Sequence, residues 1–273
     1  MSKRTNRVVA ITGGARGIGK EIAATAAAQG NLVAIGDIDE AAAKGTADEL
    51  AGRVIGLPVD VTSRSSFAAF LDAVERDLGP LDVLVNNAGI MPTGAFEEEP
   101  DEVAHRQIDI NVHGVLLGSK LALQRMLPRG HGHIVNIASG AGYICAPGVV
   151  TYTGTKHAVI GITESMRMEY RSRGINVTAV APGVIDTELT SGVPDTKGLP
   201  KVSPSVVAAA VVQAFDRPRA TVFVPRRVGV LARLVKVLPA AVVDTLFRAI
   251  GLSRGYLDSD PHARAAYSNR MRR

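Results

Sequence analysis

The stretch from Arg7 to Asp37 restricts the possible folds more than any other part of the chain. Arg7-Val8-Val9-Ala10-Ile11-Thr12 reads as a short buried strand. Gly13-Gly14-Ala15-Arg16-Gly17-Ile18-Gly19 follows, then a helical pattern from Lys20 to Gln29 closed by Gly30, then a second strand over Asn31-Leu32-Val33-Ala34-Ile35-Gly36-Asp37. Strand, glycine-rich turn, helix and strand make a βαβ unit. Glycines let the backbone approach a pyrophosphate, and the helix start offers free N–H groups at the positive end of its dipole. An acid at the end of the second strand binds both ribose hydroxyls of an adenosine. Asp37 lies 20 residues beyond Gly17, the distance this arrangement needs. Gly13, Ala15, Arg16, Gly17, Ile18, Gly19 and Asp37 are therefore candidate dinucleotide contacts. Their spacing, Thr12-Gly13-x-x-x-Gly17-Ile18-Gly19, differs from the G-x-G-x-x-G pattern.

Asp37 also bears on which cofactor is used. A carboxylate there repels a 2′-phosphate and favours NAD; Arg16 in the turn attracts that phosphate and favours NADP. Repulsion between like charges a few ångströms apart outweighs what a flexible arginine contributes, so NAD is expected and NADP is the alternative.

Beyond Asp37 the alternation continues. Helices are expected over Asp39 to Leu50, Ser63 to Leu78 and, as one long helix, Asp101 to Met126; Ser203 caps another reaching Phe215. Strands are expected at Val54–Val59, Leu81–Val85, Ile134–Ala138, Ile175–Val180 and Thr221–Val224. Ligands of doubly wound sheets bind outside the carboxyl ends of the strands. That is where Asp60-Val61, Asn86-Asn87-Ala88-Gly89, Ser139 and Ala181-Pro182-Gly183-Val184-Ile185-Asp186-Thr187 fall. Residues 188–204 read as a loop that closes over a substrate. With 46% hydrophobic and 21% charged residues, the composition suffices for a sizeable core. The six histidines lack metal-ligand spacing, so no metal site is expected.

The chemistry is carried by Tyr152-Thr153-Gly154-Thr155-Lys156. A tyrosine and a lysine four residues apart share one helix face. A free tyrosine ionises near pH ~10. An ammonium within a few ångströms favours the phenolate and is expected to lower that value, letting Tyr152 exchange a proton with an alcohol or carbonyl.

Taken together, these residues resemble the short-chain dehydrogenase/reductase superfamily in its compact single-domain branch. The resemblance covers about residues 7–225 and rests on the Thr12–Gly19 turn, Asp60-Val61, Asn86-Asn87-Ala88-Gly89, Asn111, Ser139, Tyr152 with Lys156, and Pro182-Gly183 with Thr187. It implies a single α/β domain with a doubly wound, seven-stranded parallel sheet of Rossmann type. It implies Tyr152 as catalytic acid/base, Lys156 tuning it and holding the nicotinamide ribose, Ser139 bonding the reacting oxygen, and Asn111 holding a water that links Lys156 to solvent. Ile185 and Thr187 would orient the nicotinamide carboxamide; Asp60, Val61 and Asn87 would surround the adenosine, with Ala88, Gly89, Pro182 and Gly183 beside them. The function this implies is hydride transfer between a nicotinamide cofactor and a secondary alcohol or ketone. An NADP-dependent carbonyl reductase and a cofactor-binding scaffold without turnover are the alternatives.

Residues 226–273 depart from the compact branch. Residues 217–273 carry 12 Lys/Arg against 3 Asp/Glu, although the whole chain is only +5. Leu231, Leu234, Val235 and Leu238 follow helical spacing, as do Val243, Leu246, Phe247 and Ile250, with Pro239 between the two blocks. Three readings stand: two helices packed on the domain or another subunit, a hydrophobic cover over the substrate mouth, or, ranked behind both, shallow attachment to an anionic membrane surface. The apolar tail and Val149-Val150 point to a lipophilic alcohol or ketone of steroid, terpenoid or fatty-alcohol type. No aromatic–basic pattern suggests nucleic acid. The extension leaves a homodimer through the Asn111 and Tyr152 helices or a homotetramer open. A single cysteine, Cys145, no signal peptide and no membrane span make a cytoplasmic location the expectation.

Overall fold

A computed structural model describes residues 6–194, 201–252 and 255–271. Seven strands form one sheet: β1 (Val8–Thr12), β2 (Leu32–Asp37), β3 (Val54–Pro58), β4 (Val83–Asn86), β5 (Gly132–Ile137), β6 (Ile175–Pro182) and β7 (Thr221–Val224). Their order is β3-β2-β1-β4-β5-β6-β7, and every neighbouring pair is parallel. The chain first builds outward from β1 through β2 to β3, then returns to the other side of β1 with β4. That reversal opens a crevice at the carboxyl ends of β1 and β4, where ligands of such sheets bind.

Period-two alternation divides the core into two layers. From β1, Val9 and Ile11 join Ile22, Ala23 and Ala26 of α1 (Gly17–Ala28) and Val207, Val211 and Phe215 of α7 (Pro204–Asp216). Val8 and Ala10 face the other way, towards Phe67, Phe70 and Leu71 of α3 (Arg64–Leu78) and Leu121 and Met126 of α5 (Gly114–Met126). The second strand is flanked by α2 (Glu40–Glu49), which Asp39 caps by accepting from the Ala42 N–H. The loop expected over 188–204 is described as far as Pro194 and from Lys201 onward.

The helix expected to run unbroken from Asp101 to Met126 is interrupted. It consists of α4 (Asp101–Ile108), a single π turn over Asp109–His113, and α5. A π turn accommodates one extra residue and re-aims the side chains within it. The side chain so placed is the fully buried Asn111, which both accepts from the Ile90 N–H and donates to the Ile90 carbonyl, each at 2.9 Å. After α6 (Val150–Tyr170) and the last strand, the tail forms three helices rather than two: α8 (Arg226–Val237), α9 (Ala240–Ile250) and α10 (Pro261–Met271). The first two pack their apolar faces around Ile144, Val228, Ala232, Phe247 and Leu252.

Gly56 of β3 shows how closely α2 lies on the sheet. A Cβ there would stand 2.4 Å from both the carbonyl carbon and the oxygen of Ala43, and 2.5 Å from the Lys44 nitrogen. Backbone atoms inside a helix cannot yield locally, so Gly56→Ala is expected to lower the unfolding free energy by about 1–3 kcal/mol. Urea denaturation measures this, and an unchanged midpoint would contradict the packing of α2 on β3.

Candidate active site

The glycine-rich turn meets β4 so tightly that side chains are excluded from it. Gly13 has φ +61°, and a Cβ on it would lie 2.8 Å from the Ala88 Cα; one on Gly19 would lie 2.3 Å from the Gly13 carbonyl oxygen. Gly17, with φ +53°, faces open space bounded by the Thr187 methyl. No side chain caps the start of α1, which leaves its first-turn N–H groups and the positive end of its dipole for an anion. Asp37, at the end of β2, accepts from the Ala15 and Asp39 N–H groups at 3.2 Å each. These bonds hold its carboxylate at the rim of the same crevice. The Arg16 guanidinium is ion-paired to Asp39 at 2.7 Å, and that hydrogen bond raises its pKa. This cradle of glycines, free N–H groups and a fixed carboxylate fits a dinucleotide.

Across the crevice, α6 carries Tyr152 and Lys156, both buried. The Lys156 ammonium donates to the Ile137 carbonyl at 3.0 Å, where β5 ends, and lies 5.6 Å from the centre of the Tyr152 ring. Ser139, two residues past the strand, accepts from the Ala141 N–H at 3.1 Å and hydrogen-bonds Tyr152. The expected lowering of the tyrosine pKa is not what these groups produce. Burial raises it; the Ser139 hydrogen bond opposes the rise, and Tyr256 and Tyr267 add to it. Burial also lowers the Lys156 pKa to about 8, which weakens the charge meant to favour the phenolate. The protein's own groups therefore keep Tyr152 a neutral phenol.

Two asparagines brace the site. The Asn87 amide donates to the Thr12 and Gly13 carbonyls at 2.9 and 2.8 Å, tying β4 to the glycine turn. Asn111 donates to Thr155 Oγ1 at 3.1 Å as well as to Ile90, so both its amide hydrogens join α6 and the segment after β4 to the π turn. Gly89 lies between Asn111 and Lys156: a Cβ there would be 3.1 Å from Asn111 Oδ1 and 3.6 Å from Lys156 Nζ.

A cavity of about 700 Å³ joins these parts. It is lined by Gly13, Arg16, Gly17, Ile18 and Asp37, by Asp60 and Val61, by Asn87, Ala88 and Gly89, by Ser139, Tyr152 and Lys156, and by Pro182, Gly183, Ile185 and Thr187. Ala15, Gly19 and Asn111 stand behind its wall. The sequence reading missed the contribution of the last helix. Arg264, 4% exposed, donates to the carbonyls of Met91 at 2.8 Å and of Leu189 and Ser191 at 3.0 Å. The Met91 N–H donates to the Tyr267 hydroxyl at 2.8 Å, and Arg270 pairs with Glu188. Tyr256, Tyr267, Arg270 and Met271 thereby line the cavity, with Tyr256 packed against Met91, Val149 and Tyr152. The one sequence signal for this helix was Ser259-Asp260-Pro261, a start motif with no amphipathic stripe after it.

The chain matches the family model for short chain dehydrogenases over residues 7–198. A probable oxidoreductase of Mycobacterium tuberculosis (strain ATCC 25618 / H37Rv), EphD, is 33% identical over 261 residues, covering 87% of this chain and 44% of that protein; the chain thus spans less than half the length of this relative. A 3-alpha-(or 20-beta)-hydroxysteroid dehydrogenase of the same strain is 36% identical over 189 residues, covering 69% of this chain and 73% of that one. Among solved structures, a short chain dehydrogenase/reductase from Burkholderia phymatum in complex with NAD superposes with a TM-score of 0.78 at 26% identity, covering 86% of this chain and 94% of its own. A gluconate 5-dehydrogenase from Burkholderia cenocepacia J2315 in complex with NADP and tartrate gives a TM-score of 0.75 at 27% identity, covering 81% and 94%. The chain belongs to the short-chain dehydrogenase family of oxidoreductases.

The depressed lysine pKa has a measurable consequence. Between about 8 and the ordinary 10.5, the unfolded chain holds a proton that the folded chain has released, so stability rises with pH across that window. Below about pH 8 the full burial penalty is present. Lys156→Met is expected to remove that rise, which is on the order of 1–3 kcal/mol. Urea unfolding of both proteins between about pH 8 and 10 tests it; parallel pH profiles would contradict the burial of a charged Lys156.

Proposed function

We propose that the chain transfers a hydride between NAD and a lipophilic secondary alcohol or ketone. One observation carries this reading: Ser139, Tyr152 and Lys156 open onto the same cavity as the glycine turn and Asp37. When bound, the nicotinamide cofactor supplies the redox chemistry. The chain's own residues supply position and proton. Ser139 holds the substrate oxygen beside the Tyr152 hydroxyl. As a neutral phenol, Tyr152 is poised to give its proton to a carbonyl oxygen in reduction. In oxidation the same oxygen takes the proton back, and Lys156 stabilises the phenolate in passing. Gly13, Gly17 and the α1 N-terminus receive the pyrophosphate. Ile185 and Thr187, on the segment after β6, orient the nicotinamide end, while Asp60 and Val61 flank the adenosine.

NAD is favoured over NADP because the Asp37 carboxylate stands where a 2′-phosphate would go, while Arg16 is engaged by Asp39. A lipophilic substrate is supported by Met91, Leu189 and Tyr256, which line the cavity beside Tyr152, and by the hydroxysteroid relative. The fold itself is shared with a gluconate enzyme, so the substrate class rests on this lining. Ile108, Val150 and Met168, exposed on α4 and α6, support self-association through the helices around Asn111 and Tyr152.

Tyr152→Phe is expected to bind NADH as the native protein does and to lose about 10²–10⁴-fold in turnover. Assays of NADH oxidation with steroid and long-chain ketones, against small polyols with NAD, provide the measurement; retained turnover in the variant, or activity on polyols alone, would contradict the reading. Asp37→Ala is expected to weaken NAD at least about tenfold while leaving NADP nearly unchanged, in line with the roughly 1.5–3 kcal/mol that a hydrogen bond to a charged group represents. Titration by nicotinamide fluorescence checks this, and equal loss for both cofactors would count against NAD.

A further inference from the structure

The helix α8 has two unlike faces. Val228, Gly229 and Ala232 are buried, and Leu231 and Val235 pack beside them on the inner cluster. At about 100° per residue, Arg226, Arg227, Val230, Arg233, Leu234 and Val237 fall within one arc on the opposite side. All six are exposed, Val230 at 56%, Leu234 at 47% and Val237 at 78%. The helix reads Arg-Arg-Val-Gly-Val-Leu-Ala-Arg-Leu-Val-Lys-Val and contains no acidic residue. Isolated exposed aliphatics are ordinary, but a stripe of three along one short helix is a contact surface. None of the six residues lines the catalytic cavity.

The charges select the occupant. A second copy docking face to face across a two-fold axis would bring three arginines against their own images with no carboxylate on the helix to separate them. A nucleic acid would meet the arginines but leave the aliphatic stripe in water. An anionic bilayer surface satisfies both: aliphatic side chains enter the acyl boundary while guanidinium groups meet lipid phosphates. We propose that the outer face of α8 is a peripheral attachment site for anionic lipid membranes, with Val230, Leu234 and Val237 inserted and Arg226, Arg227 and Arg233 bound to phosphate. A 12-residue helix lies flat in the interface and does not span it. Attachment through it alone is reversible and sensitive to salt. No helix among the described residues is long and apolar enough to cross a membrane.

The full chain is sedimented with vesicles of phosphatidylcholine alone and of phosphatidylcholine mixed with phosphatidylglycerol, at low and high salt. Binding to the mixed vesicles only, released by salt, is expected. Val230→Ser/Leu234→Ser/Val237→Ser and Arg226→Gln/Arg227→Gln/Arg233→Gln should each lower the bound fraction on the order of tenfold with melting temperature unchanged. The proposal is overturned by equal binding to both vesicle types, by no binding, or by native-like binding of either variant. It is overturned equally if sedimentation equilibrium shows that the serine variant dissociates a native oligomer, which would make the face a contact between copies. A negative vesicle result leaves the catalytic reading untouched, because that reading is tested by turnover.

Discussion

A lysine ammonium buried without a carboxylate is the interaction on which the site depends. Lys156 lies within α6, and its head reaches the carbonyl of Ile137. That carbonyl is the last of β5, at the point where the sheet stops. The fold thus supplies the acceptor: a strand end leaves a backbone oxygen without a continuing ladder, and the helix beside it delivers the donor. A carboxylate partner would neutralise the ammonium. A carbonyl keeps it in place and leaves the charge available. Burial still disfavours the charged form, so this arrangement persists only because the surrounding helices and strand hold it.

Three further polar side chains hold loops around that centre. Asn87 joins β4 to the glycine turn, Asn111 joins the π turn to Ile90 and Thr155, and Arg264 joins the last helix to the segments at Met91 and at Leu189–Ser191. Each uses at least one backbone partner, which does not change with side-chain identity nearby; Asn111 also bonds the Thr155 hydroxyl. The cavity walls are therefore held largely by main-chain geometry, and Met91, Leu189 and Tyr256 supply apolar lining beside Tyr152. In that arrangement the tail is part of the cavity wall at α10 and an outward-facing surface at α8.

Most of the architecture was legible in the sequence, for physical reasons that differ from element to element. The seven strands show as apolar runs because a parallel sheet is covered on both faces, and Gly13, Gly17 and Asp37 announce the first crossover. The π turn was not legible, because the contact it serves, Asn111 with Ile90, joins residues 21 apart in the chain. The enclosure by α10 was hidden for a similar reason. Its anchor is one buried arginine in a helix without an apolar stripe, and its acceptors lie more than 70 residues distant. The tyrosine–lysine pairing could be read from spacing, but not its electrostatic outcome: spacing gives proximity, whereas the extent of burial decides which protonation state wins.

Burial holds Tyr152 as a neutral phenol, against the opposing Ser139 hydrogen bond, ready to donate once substrate and cofactor are in place. The most direct measurement of this state is an ultraviolet pH titration of the cofactor-free protein, taken as the difference between the native chain and one with phenylalanine at position 152. No phenolate signal from this residue is expected through the ordinary tyrosine range near pH ~10. A phenolate appearing near neutral pH would show that Lys156 governs the ionisation after all, and would contradict a neutral Tyr152.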